Sequence, residues 1–156
     1  MAIEQVKEFF KKFDMGEKIM EFETSSATVE LAAQALDVIP ARIAKTLSFK
    51  KDNSCILIVT AGDAKIDNPK FKTEFSMKAK MPSAEEVFSI TGHAVGGVCP
   101  FAVTSEIPVY LDVSLKRFDT VFPACGSSNS AIELTCSELF KYSEAEKWID
   151  VCKEWV

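Results

Sequence analysis

The sequence of 156 residues contains no long hydrophobic run. Its apolar stretches, such as residues 55–59, have the length of a β-strand and fall far short of the roughly 20 residues that cross a bilayer. The first five residues lack the basic region and apolar core of a signal peptide. These absences argue against a helical membrane protein and predict a cytoplasmic one.

The chain also has no closely spaced pair of cysteines and only one histidine. The five cysteines show no Cys-x-x-Cys spacing, and an odd, scattered set predicts a reducing compartment and no zinc site. Since His93 is the only histidine, any acid–base scheme that needs an imidazole has a single candidate. The cysteines are Cys55, Cys99, Cys125, Cys136 and Cys152.

The chain has fewer basic than acidic residues. Eighteen lysines and arginines face 23 aspartates and glutamates, so the net charge is −5. A protein that follows a phosphate backbone needs a basic surface, so we expect neither DNA binding nor long contacts along RNA. An acidic protein can still hold one end of a nucleic acid in a pocket.

Hydrophobic periodicity and turn residues predict alternating short helices and strands. Ser25 or Ser26 is expected to cap the second helix and Ser83 the fourth. This pattern indicates one α+β domain, residues 1–156, with a largely antiparallel or mixed sheet. The predicted helices are 2–14, 27–36, 67–76, 83–90 and 136–154, and the predicted strands are 19–23, 45–49, 55–61, 107–112, 120–124 and 130–135.

Residues 91–101 contain three glycines and a proline, which is incompatible with a regular element. Such a loop is either a plain connection or a backbone cradle for an oxyanion, and its spacing matches neither a P-loop nor a dinucleotide fingerprint. His93 is either a pocket residue or a packing residue. Cys99 is a weak candidate nucleophile, because no basic residue nearby in sequence would lower the pKa of its thiol.

Lys45 lies in the apolar stretch 43–47. A lysine in such a strand either extends to solvent or points into a polar cavity. Taken alone, the residues predict an α+β domain with one candidate loop and do not define a reaction.

Three segments together resemble the signature stretches of the YbaK / prolyl-tRNA-synthetase-associated editing domain family. They are Ile-Ala-Lys-Thr-Leu at 43–47, Gly-His-Ala-Val-Gly-Gly-Val-Cys-Pro-Phe at 92–101, and Cys-Gly-Ser-Ser-Asn-Ser-Ala-Ile-Glu-Leu at 125–134. The resemblance covers about residues 1–142, and its most specific part is the Gly-x-x-x-Pro motif from Gly96 to Pro100.

The resemblance implies a compact mixed sheet, mostly antiparallel and partly barrel-like, with helices packed around it. It also implies hydrolysis of the ester between a non-cognate amino acid and the 3′ end of a tRNA, without metal or nucleotide cofactor. A freestanding member would act in trans on aminoacylated tRNA, helped by a tRNA synthetase or a translation factor.

Carried over by position, Lys45 would hold the terminal phosphate and ribose. Gly96 and Gly97 would be catalytic through their backbone, and the wall from Gly96 to Pro100, with Val98 and Cys99, would hold the aminoacyl carbonyl and the attacking water. A free ribose hydroxyl of the substrate would help to activate that water, so no side-chain base would be required.

Specificity is expected to depend on Phe22, where the cysteine-clearing founder type carries tyrosine, and on Ala131, where that type carries aspartate. Gly126 and Asn129 belong to a loop that resembles relatives removing serine, threonine or alanine. Phe22, His93, Gly126 and Asn129 are therefore predicted to line a small pocket, with Asn129 and adjacent serines as polar partners for the substrate.

Two other functions remain open on the residues. One is a non-catalytic module that senses an amino acid or an aminoacylated tRNA end, and the other is a hydrolase of a different small ester or thioester. The presence of Lys45 together with an intact Gly96-x-x-x-Pro100 motif favours deacylation.

Overall fold

A computed structural model describes residues 2–93, 98–103 and 106–155. In that part of the chain there are five α-helices, each of ten residues or fewer. No described helix has the length and apolar character needed to cross a membrane. The helices are α1 (Ala2–Lys11), α2 (Val29–Leu36), α3 (Asn68–Phe75), α4 (Ala84–Thr91) and α5 (Cys136–Tyr142).

Two long strands and eight short ones accompany the helices in the described ranges. They are β1 (Met20–Glu21), β2 (Ile43–Lys51), β3 (Ser54–Ala61), β4 (Lys65–Ile66), β5 (Val109–Asp112), β6 (Thr120–Pro123), β7 (Ser130–Ala131), β8 (Leu134–Thr135), β9 (Lys147–Ile149) and β10 (Cys152–Lys153).

The main sheet is built around the β2–β3 hairpin, whose register runs from Ala44↔Ala61 to Lys51↔Ser54. Its strand order is β8-β6-β2-β3-β5-β9, with β6 parallel to β2 and with β5 and β9 parallel to β3. Two small antiparallel ladders, β1–β7 and β4–β10, complete the set. Four of the seven pairings among described residues are antiparallel, so the predicted mixed and mostly antiparallel sheet is confirmed.

The core is centred on β3, which is buried from Cys55 to Ala61. Its nearly continuous aliphatic sequence is what a strand covered on both faces requires. A second, smaller cluster fixes α2 to the sheet and contains Ala32, Ala33, Ile43 and Phe122. This cluster matters for function, because it places the start of α2 beside β2.

The N-terminal end of α2 differs from the prediction. Its N-cap is Thr28, whose side chain accepts a hydrogen bond from the Leu31 amide. Ser25 and Ser26 instead direct their hydroxyls to the Ser128 carbonyl. The predicted cap was wrong because a tertiary contact uses these two serines. The cap of α4 is confirmed, since Ser83 and Glu86 form a capping box.

The predicted helical region 136–154 is wrong beyond α5. Glu144 adopts a left-handed conformation with φ of 53°, which ends the helical path. The chain then forms β9, parallel to β5 with Trp148 opposite Leu111, and β10, antiparallel to β4. Pairing that buries Ile149 outweighs the helix propensity of residues 144–147. The predicted strand 130–135 is likewise two short strands, β7 and β8, which belong to different ladders.

Candidate active site

A cavity of about 380 Å³ lies between the starts of α2 and α4, beside the edge of β2. It opens where the β2–β6 ladder ends, because β6 pairs only with Ile43 and Ala44 while β2 continues to Lys51. The described lining residues are Ser26, Ala27, Thr28, Val29, Ala32, Ile43, Ala44, Lys45, Thr46, Leu47, Ser48, Met81, Pro82, Val87, Val98, Phe122, Ala124, Ser130 and Ala131.

Lys45 lines this cavity as a half-buried side chain. Its Nζ donates a hydrogen bond to the Ala64 carbonyl at 2.6 Å and lies 3.5 Å from the Gly62 carbonyl. Burial lowers the pKa of the amino group, and the nearby Asp63 carboxylate acts in the opposite direction. Lys45 thus lines the cavity, while its amino group is held by two carbonyls of the turn that follows β3.

The turn between β3 and β4, residues 62–64, positions Lys45. A Cβ on Gly62 would lie 2.1 Å from the Pro40 carbonyl oxygen and 2.7 Å from Val29 Cγ1, so only glycine allows this close approach. Asp63 is held by a two-pronged ion pair with Arg117, with N–O distances of 2.6 and 3.0 Å. The hydrogen bond from Arg117 lowers the pKa of the Asp63 carboxyl.

The chemistry of the cavity is simple. Among the described lining residues, Lys45 is the only ionisable side chain; the others are aliphatic, aromatic or hydroxyl-bearing, apart from one methionine and one proline. No cluster of three or more histidine, cysteine or acidic side chains suited to a metal occurs in the described part of the chain. The described wall thus offers one cation and several hydroxyls, with no side-chain general base.

The glycine-rich loop is only partly described. Gly96 and Gly97, the predicted catalytic backbone, lie outside the described residues. Val98 lines the cavity, which places the end of this loop at the site. Cys99 and Pro100 are buried and lie outside the described lining.

His93 and Cys99 pack against each other in the core. His93 Nε2 lies 3.2 Å from the Phe101 carbonyl and 3.6 Å from Cys99 Sγ, and both side chains are fully buried. Burial lowers the pKa of His93, with the Phe101 carbonyl opposing. Burial raises the pKa of Cys99 to about 12, so its thiol is protonated at neutral pH. His93 lies outside the described cavity lining, and its burial fits the packing reading.

Phe22, Gly126 and Asn129 also lie outside the described lining. The Asn129 side-chain amide donates to the Phe22 carbonyl at 2.9 Å, and the Phe22 amide donates to the Asn129 carbonyl at 2.8 Å. Gly126 has φ of 91°, a conformation that favours glycine. These residues fasten the loop to the chain beside β1 and so support the neighbouring wall residues Ser130 and Ala131.

Sequence reasoning missed much of the wall. Thr46 and Ser130 lie inside the stretches that carry the resemblance, so their proximity to Lys45 and Asn129 was an available signal. Met81 and Phe122 had no comparable local signal. They reach the cavity only through the placement of α4 and β6.

A family model described as "Aminoacyl-tRNA editing domain" matches residues 23–142, more than three quarters of the chain. The chain belongs to this family. The editing domain is 56% identical over 156 residues to the uncharacterized protein YwhH of Bacillus subtilis (strain 168), covering 99% of both chains.

Two further relatives place the editing domain in a wider context. It is 32% identical over 113 residues to the proline–tRNA ligase of Bacillus licheniformis, a match that covers 68% of this chain and 20% of the ligase. A solved structure provisionally described as a trans-editing enzyme for prolyl tRNA synthetase superposes with a TM-score of 0.86 at 27% identity, covering 97% of both chains.

These findings confirm the predicted family, its α+β fold and its class of enzyme, an aminoacyl-tRNA deacylase. The predicted substrates, tRNA partners and individual site residues are taken up below as proposals.

Proposed function

We propose that this editing domain removes serine, threonine, alanine or cysteine from mischarged tRNA by hydrolysing the ester at the 3′ end. The observation that carries the proposal is the half-buried Lys45 amino group, the one cation in the described wall of a small cavity. An ammonium group suits the phosphate and ribose of a terminal nucleotide, and uncharged walls suit a short side chain.

In the proposed reaction, water attacks the ester carbonyl and the bond between that carbon and the ribose oxygen breaks. The ribose oxygen takes up a proton and the amino acid leaves as its carboxylate. Because the described lining contains no carboxylate, imidazole or thiol, we propose that a vicinal ribose hydroxyl of the substrate relays the proton. The backbone from Gly96 to Pro100 would stabilise the oxyanion.

Small side chains limit the size of the proposed substrate. Ala32, Ala124 and Ala131 line the cavity together with Val87 and Val98. Ala131 is buried and its β7 strand is paired with β1, so this part of the wall cannot withdraw without breaking the ladder. A large amino acid would overpack the site at a cost of about 1–3 kcal/mol.

The proposed partner is the aminoacylated 3′ end alone. With a net charge of −5 the protein is unsuited to gripping a whole tRNA, so we propose that a tRNA synthetase or a translation factor presents the tRNA in the cytoplasm. No metal or nucleotide cofactor enters the proposed reaction.

A single-turnover deacylation assay on one tRNA body tests this proposal. The tRNA would be charged in turn with serine, threonine, alanine, cysteine, proline and phenylalanine. We expect each of the first four to be hydrolysed much faster than phenylalanine. Rapid removal of phenylalanine would contradict the small cavity. Tight binding of charged tRNA without any hydrolysis would instead favour a sensing module.

A further inference from the structure

The Thr46 hydroxyl is a buried polar group with no hydrogen-bond partner among the described residues. Burying a hydroxyl without a partner is unfavourable, and native structures rarely keep one without a reason. Thr46 also lines the cavity beside Lys45. We infer that Thr46 determines specificity by forming a hydrogen bond with the side-chain hydroxyl of a seryl or threonyl substrate. This inference rests on the proposed function.

Three of the four other hydroxyls of the wall are already engaged, whereas the Ser48 hydroxyl has no hydrogen bond among the described residues. Ser130 Oγ accepts a hydrogen bond from the Cys125 amide and lies 2.8 Å from the Ser127 hydroxyl oxygen. Ser26 is directed to the Ser128 carbonyl, and Thr28 caps α2. Their geometry is fixed by the fold, which leaves them little capacity for a ligand.

Asn129, the polar partner expected from sequence, is engaged too. Its amide nitrogen donates to the Phe22 carbonyl and its amide oxygen accepts from the Ser127 hydroxyl. Both ends of the side chain therefore hold the loop in place. We therefore assign to Thr46 the polar contact with the substrate that was predicted for Asn129.

The position of Thr46 in β2 suits contact with a substrate. The Lys50 amide donates to the Lys80 carbonyl, away from β3, and the N–H groups of an antiparallel strand alternate in direction. Thr46 and Lys50 are an even number of residues apart, so the Thr46 amide also points to the edge that β6 leaves uncovered. The cavity adjoins this edge, so the main chain of Thr46 faces the substrate space.

The orientation of the Thr46 side chain is not fixed by a hydrogen bond within the described residues. The residue is partly exposed, although its hydroxyl oxygen is covered. Rotation about Cα–Cβ exchanges the hydroxyl and the methyl group between staggered positions. A substrate hydroxyl would select the rotamer that turns Oγ1 into the cavity.

Serine and alanine differ by that hydroxyl alone, so they form the matched substrate pair. We expect the wild type to deacylate seryl-tRNA about tenfold or more faster than alanyl-tRNA on one tRNA body. Thr46→Val should remove this preference by slowing only the seryl reaction, and Thr46→Ser should keep it. A wild type without the preference, or an equal loss on both substrates in Thr46→Val, would overturn the inference.

Two readouts do not depend on hydrolysis. If the hydroxyl has no partner in the free protein, Thr46→Val should raise Tm, whereas a lower Tm would show a partner and contradict the inference. Calorimetry with 3′-amino-linked seryl-adenosine and alanyl-adenosine, which cannot be hydrolysed as esters, should show tighter seryl binding that Thr46→Val abolishes. Should the wild type hydrolyse neither charged tRNA, the proposed deacylation fails, and this binding comparison alone decides the role of Thr46.

Discussion

Among single residues, Lys45 has the clearest link between position and chemistry. Its amino group is oriented by the Ala64 carbonyl, while the nearest acid, Asp63, is occupied by Arg117. The partners of this amino group among the described residues are neutral carbonyls, so no carboxylate forms an ion pair with it there. The neighbouring Thr46 supplies a neutral hydroxyl, and we propose that these two residues contact different parts of the substrate.

Lys45→Ala should lower the single-turnover deacylation rate by roughly a hundredfold or more, because a charge-assisted contact in the transition state is lost. The fold should persist, with the free energy of unfolding changed by about 1 kcal/mol. Lys65→Ala, at an exposed residue of β4, is the matched control and should keep full activity. An unchanged rate in Lys45→Ala would remove Lys45 from the site.

Cys99→Ser should stay active, because the wild-type thiol is buried with a pKa raised to about 12 and cannot supply a thiolate at neutral pH. Placing a hydroxyl in that buried position should lower the free energy of unfolding by about 1–3 kcal/mol. Rates and urea unfolding curves measured together separate the two effects. A natively folded but inactive Cys99→Ser, or an acyl group trapped on Cys99, would contradict this prediction.

His93 should make the fold sensitive to mild acid. Its pKa in the folded state is lowered by burial, so the unfolded state binds more protons once the pH falls below about 6.5. Stability is therefore present above that pH and is lost as the pH falls toward the folded pKa. Urea unfolding between about pH 7.5 and about pH 5.5 should show this loss. His93→Gln should reduce the slope, and an identical slope would contradict the prediction.

Among the elements, the turn between β3 and β4 links the core to the candidate site. It carries the carbonyls that orient Lys45, and it passes so close to Pro40 and the start of α2 that Gly62 leaves no room for a methyl group. The turn is thereby held between a buried strand and the wall of the cavity, and a displacement of one is expected to move the other.

Gly62→Ala should destabilise the protein by about 1–3 kcal/mol and also lower the deacylation rate, since relieving the overlap displaces the turn. Gly16→Ala is the control, because a methyl group there would meet mainly the flexible Lys11 side chain at 3.2 Å. Unfolding free energies and single-turnover rates should be compared for both variants. Full activity and wild-type stability of Gly62→Ala would show that the turn tolerates displacement.

Local patterns predicted the elements whose ends are fixed by neighbours in sequence. The β2–β3 hairpin and the Ser83 cap of α4 are examples. They did not predict β9 and β10, because parallel pairing with β5 and the left-handed Glu144 depend on residues far away in the chain. The same holds for the candidate site. Lys45 could be predicted from a motif, whereas Met81 and Phe122 could be assigned to the cavity only from the three-dimensional structure.

For the whole molecule, the described part of the chain joins helices and sheets in a single α+β arrangement, and the family match spans residues 23–142. That all 156 residues form one domain remains a prediction. Because the net charge of the chain is −5, we expect it to hold the substrate only through one terminal nucleotide and the amino acid. The remaining contacts with the tRNA would be made by a partner protein.

This way of binding predicts a weak dependence on salt. Each single-stranded phosphate contact contributes about −0.7 to the slope of log affinity against log salt. If Lys45 makes the one such contact, kcat/KM measured with subsaturating tRNA should fall only roughly threefold between about 50 and about 200 mM salt. A protein gripping six or more phosphates would lose about a thousandfold or more. Lys45→Ala should flatten the remaining dependence, and Lys65→Ala should leave it unchanged. A steep slope in the wild type would reveal a basic tRNA-binding surface and contradict recognition of the 3′ end alone.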